Sequence, residues 1–179
     1  MKPFMIRASW LFLALTVAAC SGGAGRRLPL QHDLGPIDIA SEQRVQVRVD
    51  APAWLWDERI RYRLLYRDPS AIRYYNLDRW EAPLPVLIEP YLAIPGQRSI
   101  TLKIRLDRFE QQFVTPDHAR LFIDMKIEAL NGRDNRLLGR RSIVLSQDPV
   151  SPDAAGAIAG LAALTERARS EIHRWLKAL

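Results

Sequence analysis

From Ile100 to Asp107 the chain alternates without a break. Ile100, Leu102, Ile104 and Leu106 are apolar, and Thr101, Lys103, Arg105 and Asp107 are polar or charged. Successive side chains on a strand point to opposite faces, so the pattern specifies a strand with one face in a core and one in water. Past Arg108 the phase flips, because Phe109, Gln111 and Phe113 now hold the odd positions. A bulge near Arg108 restores an inward Phe109. The same period recurs in Val45, Val47 and Val49 between Arg44, Gln46 and Arg48, and in Ile60, Tyr62, Leu64 and Tyr66 behind Arg59, Arg61 and Arg63. It returns in Leu121, Ile123, Met125 and Ile127, after which Asn131-Gly132 offers a hairpin turn into Leu137–Leu145. That succession predicts an antiparallel meander in the second half.

Two helices are expected. One spans about Leu84 to Leu92, with Pro85 suited to its opening turn and Pro90 set to truncate or kink it. The other starts after Ser151, read as N-cap, with Pro152 first in the helix and Asp153 at the positive end of the dipole. Ala154, Ile158, Leu161, Thr165, Ala168, Ile172, Trp175 and Leu179 then draw one apolar stripe. Gly156 and Gly160 permit close backbone approach. The expected fold is α/β of the α+β kind: a mixed, largely antiparallel sheet packed by a long C-terminal helix and a shorter central one. A chain of 179 residues, 48% hydrophobic and 26% charged, suits a single domain, here 28–179.

The one cysteine cannot form an internal disulfide, and its position says why it is there. Lys2 and Arg7 precede an uncharged run from Ala8 to Ala19, shorter than the roughly twenty residues of a membrane span. Residues 1–19 therefore read as a secretory signal. Val17-Ala18-Ala19-Cys20 resembles the lipobox of bacterial lipoproteins, which implies cleavage before Cys20 and acylation of it. Residues 20–27 then form a flexible lipidated tether, with Arg26 and Arg27 near the membrane. Ser21 stands where an aspartate would favour inner-membrane retention, so the expected location is the periplasmic face of the outer membrane. Of the formal charge of +6, Lys2 and Arg7 leave with the signal. The remaining basic excess meets anionic headgroups or an acidic protein there, and not nucleic acid.

Catalytic patterns are missing from the sequence. The three histidines, His32, His118 and His173, have no HExxH spacing, and there is no G-x-S-x-G elbow or phosphate-cradling glycine loop. Asp117-His118 fits a nonlocal triad or a plain turn. His173 is expected on the exposed flank of the last helix. No enzyme activity, metal or cofactor is expected. The densest unusual stretch is Tyr62 to Pro85, where Tyr66, Tyr74, Tyr75 and Trp80 mingle with Arg67, Arg73 and Arg79. These residue types dominate interface hot spots and make a candidate partner surface. Equally, stacked arginines and rings pin a loop to a sheet.

Together with the lipobox, "HDLGP" (32–36), "APAWL" (51–55), "IRYRLLYRDP" (60–69), "RWEAPLP" (79–85), "RFEQQF" (108–113) and "SPDAAGAIAGL" (151–161) resemble the ABC-type transport auxiliary lipoproteins, which include the paraquat-inducible protein C type. The resemblance spans nearly the whole mature chain in matching order. It implies an outer-membrane lipoprotein of an MCE-type intermembrane lipid transport system, docking an inner-membrane-anchored MCE substrate-binding protein served by an ABC permease. It also implies a mixed sheet with packed helices and the capacity to form homo-oligomeric rings. Family-like positions are Cys20 for lipidation and Tyr66, Arg67, Arg79 and Trp80; no catalytic residue carries over. Leu92 to Ser99 is shorter than the family's usual segment. The alternative from another class is a structural or assembly-factor lipoprotein for lipopolysaccharide export or outer-membrane protein insertion.

Overall fold

The computed structural model describes residues 28–37, 45–95 and 99–179. The signal peptide 1–19, the lipidation site Cys20 and the tether 20–27 lie outside the described residues, as do Arg44 and part of the segment from Leu92 to Ser99. In chain order the elements are β1 (Leu30–His32), β2 (Gln46–Asp50), a 3-10 turn (Ala53–Leu55), β3 (Arg59–Leu64), β4 (Asp68–Trp80), α1 (Leu84–Leu92), β5 (Ile100–Thr115), β6 (His118–Asn131), β7 (Leu137–Gln147) and α2 (Ala154–Leu176). The strands form one 7-stranded sheet in the order β1-β4-β3-β5-β6-β7, with β2 also paired to β5. The expected fold class is the observed one.

The 16-residue β5 is the spine of this sheet. One edge pairs antiparallel with β6 from Ile100↔Asn131 to Thr115↔His118. Its other edge is shared by two short parallel partners, β2 along Thr101–Arg105 and β3 along Gln111–Phe113, with the 3-10 turn between them in sequence. The phase flip is there as expected: the β5–β6 register slips between Leu106 and Arg108, so Asp107 is the extra residue. Phe109 therefore turns inward and is 2% exposed. β5, β6 and β7 form the expected meander. The Asn131-Gly132 turn is wider than a two-residue hairpin. Asn131 N–H donates to the Arg136 carbonyl at 2.8 Å, and Asn135 takes a left-handed φ of 57°.

Two strands were not legible as strands. β4 is a 13-residue strand where the sequence suggested an aromatic loop or partner surface. Its register with β3 slips between Arg59 and Arg61 and again between Tyr62 and Leu64, so no clean alternation survives in its sequence. β1 pairs in parallel with Asp78–Trp80, a nonlocal contact without local pattern.

Both helices pack on the same face of the sheet. α1 has the expected bounds; Pro85 sits in its first turn and Pro90 falls near its end. Leu84, Leu87, Ile88 and Leu92 turn into the core, while the Glu89 carboxylate accepts the Val49 N–H at 3.0 Å. α2 is capped two residues later than expected. Asp153, not Ser151, is the N-cap and accepts the Gly156 N–H at 2.8 Å; the Ser151 hydroxyl donates to the same carboxylate at 2.7 Å. The stripe is also rotated at its ends. Ala157, Leu161, Leu164, Thr165, Ala168 and Ile172 are buried, but Ile158 and Trp175 are half-buried and Leu179 is exposed. Gly156 and Gly160 draw the helix onto their own flank, which turns the early part of the stripe. The buried Thr165 hydroxyl is satisfied by the Leu161 carbonyl at 2.8 Å.

Candidate functional site: the open face of the sheet

The helices cover one face of the sheet and leave the other to polar side chains. On that open face charges are matched across strands. Asp107 accepts from Arg105 at 2.9 Å and pairs with Lys126 at 3.0 Å, and Glu128 accepts from Arg140 at 2.9 Å. Arg108 is held by both Asp124 oxygens, at 2.8 and 3.1 Å, and lies over the Phe122 ring at 4.3 Å. Most such pairs are exposed and contribute little stability each. Their arrangement matters more: basic residues project from β2, β3, β5, β6 and β7 alike.

One part of this face is concave. A cleft of about 410 Å³ opens where the 3-10 turn meets β3, β4 and β5, bounded by Trp54, Arg61, Arg63, Tyr74, Arg108 and Glu110. The alternation of "RIRYRL" puts Arg59, Arg61 and Arg63 on one face of β3, and parallel pairing with β5 sets Glu110 beside them. Glu110 and Arg61 are buried, their side chains 6% and 7% exposed. Arg63 Nε donates to Glu110 Oε1 at 3.0 Å, and Gln112 Nε2 donates to the same oxygen at 2.7 Å. Arg61 fares less well. Its Nη2 is 3.6 Å from Glu110 Oε2, its Nη1 donates to the Trp54 carbonyl at 3.3 Å, and its Nε is buried without a hydrogen-bond partner. At the rim, Trp54 is 59% exposed.

The candidate residues named from the sequence do not form one surface. Tyr66 and Arg67 occupy the exposed turn between β3 and β4, where Arg67 N–H donates to the Leu64 carbonyl at 3.0 Å. Tyr74 is on the open face, its ring under the Arg59 guanidinium at 3.8 Å. Arg59 also grips Asp57, whose carboxyl its hydrogen bond holds below the usual range. Tyr75, next in sequence, points to the helix side. It stacks on Tyr62 at 4.8 Å and donates to Gln111 Oε1 at 2.6 Å, and burial pushes its phenol well above the ordinary value. Arg73 is half-buried, and Arg79 lies 3.8 Å from Glu58. Trp80 is core: it is 1% exposed and meets Phe109 edge-on at 5.8 Å.

Arg61, Arg63, Glu110 and Trp54 were not singled out from the sequence. The regular spacing of Arg59, Arg61 and Arg63 was the available signal, but a solvated strand face reads the same way. Only the β3–β5 pairing makes the cluster.

The histidines are scattered. His32 Nε2 lies 2.8 Å from Asp78 Oδ1, His118 is exposed in the β5–β6 hairpin, and His173 is half-buried on α2 rather than on an exposed flank. Asp117 accepts the Thr115 hydroxyl at 2.6 Å within that hairpin. Among the described residues no cluster of His, Cys, Asp or Glu is arranged to hold a metal, and no helix is long and apolar enough to cross a membrane.

No family model and no curated protein matches the sequence. A lipoprotein of Neisseria meningitidis, GNA1162, overlaps 42% of this chain and 49% of its own at TM-score 0.28 and 13% identity, too remote to bear on the fold. An uncharacterized protein of solved structure is similar over 83% of this chain and 99% of its own, with TM-score 0.66 and 14% identity. A Xanthomonas campestris protein of family DUF330 is similar over 83% of this chain and 92% of its own, with TM-score 0.62 and 18% identity. At these identities the likeness is one of fold.

Proposed function

We propose that this chain is a non-catalytic, lipid-anchored component of an intermembrane lipid transport system. Held by acylated Cys20 at the periplasmic face of the outer membrane, it docks the far end of an MCE-type substrate-binding protein. The observation that carries the proposal is the pairing of a lipobox-like cysteine with a domain that leaves most of one sheet face uncovered by helices, basic and edged with tryptophan and tyrosine. A tethered domain with an arginine- and aromatic-rich face favours contact over chemistry, and the ordered motifs resembling the auxiliary lipoproteins point the same way. Arg and aromatic side chains are the residue types that anchor such contacts. The docking surface in this reading is the open face around Tyr74, Arg59 and Trp54, with Tyr66 and Arg67 at its end.

Crosslinking in intact cells followed by purification of this lipoprotein tests it. The expected result is an MCE protein among the crosslinked products, lost when Arg59 and Tyr74 are replaced by alanine together. Absence of any MCE protein, with outer-membrane permeability and lipid asymmetry unchanged on gene deletion, overturns it.

A further inference from the structure

The Arg61 cluster has one positive charge too many. Inside the cleft two arginines face a single carboxylate, and Glu110 spends its Oε1 on Arg63 and Gln112. Oε2 sits 3.6 Å from Arg61, beyond hydrogen-bond length. The neighbouring acids offer no relief, because Asp107 is engaged by Arg105 and Lys126, and Asp124 by Arg108. Burying a cation is unfavourable unless it is paired and hydrogen-bonded. A guanidinium that is 7% exposed, with an Nε that no protein atom meets, is therefore a place suited to receive an anion.

The cleft around it is amphipathic. Arg61, Arg63 and Arg108 line it together with Leu55, Ile72 and the exposed ring of Trp54. Its volume of about 410 Å³ falls in the range of small-ligand sites, which combine apolar walls with a few placed polar groups. Arginine's planar fork matches the oxygens of a phosphate.

From this geometry we infer that the cleft binds a phosphate ester, with the anionic oxygens against Arg61 and an apolar body against Trp54 and Ile72. This goes beyond the docking reading, since a ligand bound here is a contact with the small molecule itself and not with a protein partner. A phospholipid headgroup and a free phosphate compound share the anion and differ in the apolar body.

The test uses the full lipidated protein, purified in a nonionic detergent and examined by native mass spectrometry. Separate samples receive phosphatidylglycerol, glycerol phosphate or inorganic phosphate. One phosphatidylglycerol per chain is expected, at about tenfold higher occupancy than either soluble phosphate. Replacing both buried charges, Arg61→Gln with Glu110→Gln, leaves the cluster's net charge unchanged and protects the fold; it is expected to lower lipid occupancy about tenfold or more. Trp54→Ala should weaken the lipid arm alone. Arg140→Gln, on the same face but outside the cleft, should change nothing. No adduct in any sample, or full occupancy in the double variant, overturns the site. Equal occupancy by inorganic phosphate and lipid overturns the apolar half of the assignment. Loss of MCE crosslinking bears on neither outcome, so the two proposals fail separately.

Discussion

Two glycines of α2 stand in places where ordinary helix propensity gives the wrong sign. In an exposed helix interior, glycine to alanine gains about 1 kcal/mol. At Gly160 a Cβ would lie 2.1 Å from Leu121 Cδ1, and Leu121 is fully buried with nowhere to go. At Gly156 the obstacle is backbone: a Cβ would fall 2.0 Å from the Ser151 carbonyl oxygen. Both Gly156→Ala and Gly160→Ala are expected to destabilise, by about 1–3 kcal/mol, as overpacked sites do. Denaturant unfolding midpoints that fall, not rise, are the check. The cap beside them carries a pH signature. Asp153 is held below its ordinary carboxylate value by the Gly156 N–H first and the Ser151 hydroxyl second. A depressed folded pKa gives stability that is fully present above the unfolded value of about 3.9 and lost as pH falls through the lower folded value. Asp153→Asn keeps the capping oxygen but cannot titrate. Relative to wild type, it should lose less stability between pH 7 and pH 2.5, measured as the shift in urea midpoint.

Among the elements, β5 governs the register of everything around it. Asp107 is the single inserted residue that lets Leu106 and Phe109 share the core face. Deleting it slips the rest of the strand by one position. Phe109, Gln111 and Phe113 would turn outward, and Arg108, Glu110 and Gln112 inward. The deletion should yield no cooperatively folded protein. Asp107→Ala, which leaves the register intact and removes only exposed ion pairs, should cost less than about 1 kcal/mol; circular dichroism melts separate the two. This strand also shows what a sequence can disclose. The alternation on either side of Arg108 revealed both the strand and its bulge, because each residue's environment is written in the period. α1 and β7 were legible from punctuation instead, α1 from Pro85 at its opening turn and β7 from the Asn131-Gly132 turn before it. β4 was not, since its two slips against β3 erase the period, and β1 was too short to carry one. The cleft was hidden for a different reason. Arg61 and Glu110 are far apart in the chain and meet only through the parallel β3–β5 pairing, which neither local stretch encodes. Trp80 misled in the opposite way: its type suggested a recognition residue, but its place beside Phe109 makes it core.

At the scale of the whole molecule the two faces divide the work. The helix side holds Leu121, Ile123, Leu161, Leu164 and Ile172 in one continuous core, so it is spent on stability. The other side carries the charged network and, apart from the 3-10 turn that reaches over Arg61 and Glu110, meets no helix among the described residues; in the proposed reading it is the side used for recognition. In the proposed reading, how this body meets a membrane is set by the acylated Cys20 and the segment after it. Eight residues span roughly 30 Å at most when fully extended, so an anchor at Cys20 would keep the domain close to the bilayer surface. Two forces then act on its location. Acyl chains contribute about 0.8 kcal/mol per buried methylene, and more than one chain makes anchoring stable and indifferent to salt. The basic face contributes an attraction to anionic headgroups that salt screens over about 10 Å at 0.1 M. These separate in one experiment. Wild-type protein is expected to stay with the membrane fraction through a 1 M salt wash. Cys20→Ser, exported but unacylated, should remain partly bound at low salt and leave almost completely at 1 M. Membrane retention of Cys20→Ser at high salt would show that something other than the acyl chains holds the protein, and release of the wild type would show that Cys20 carries no lipid.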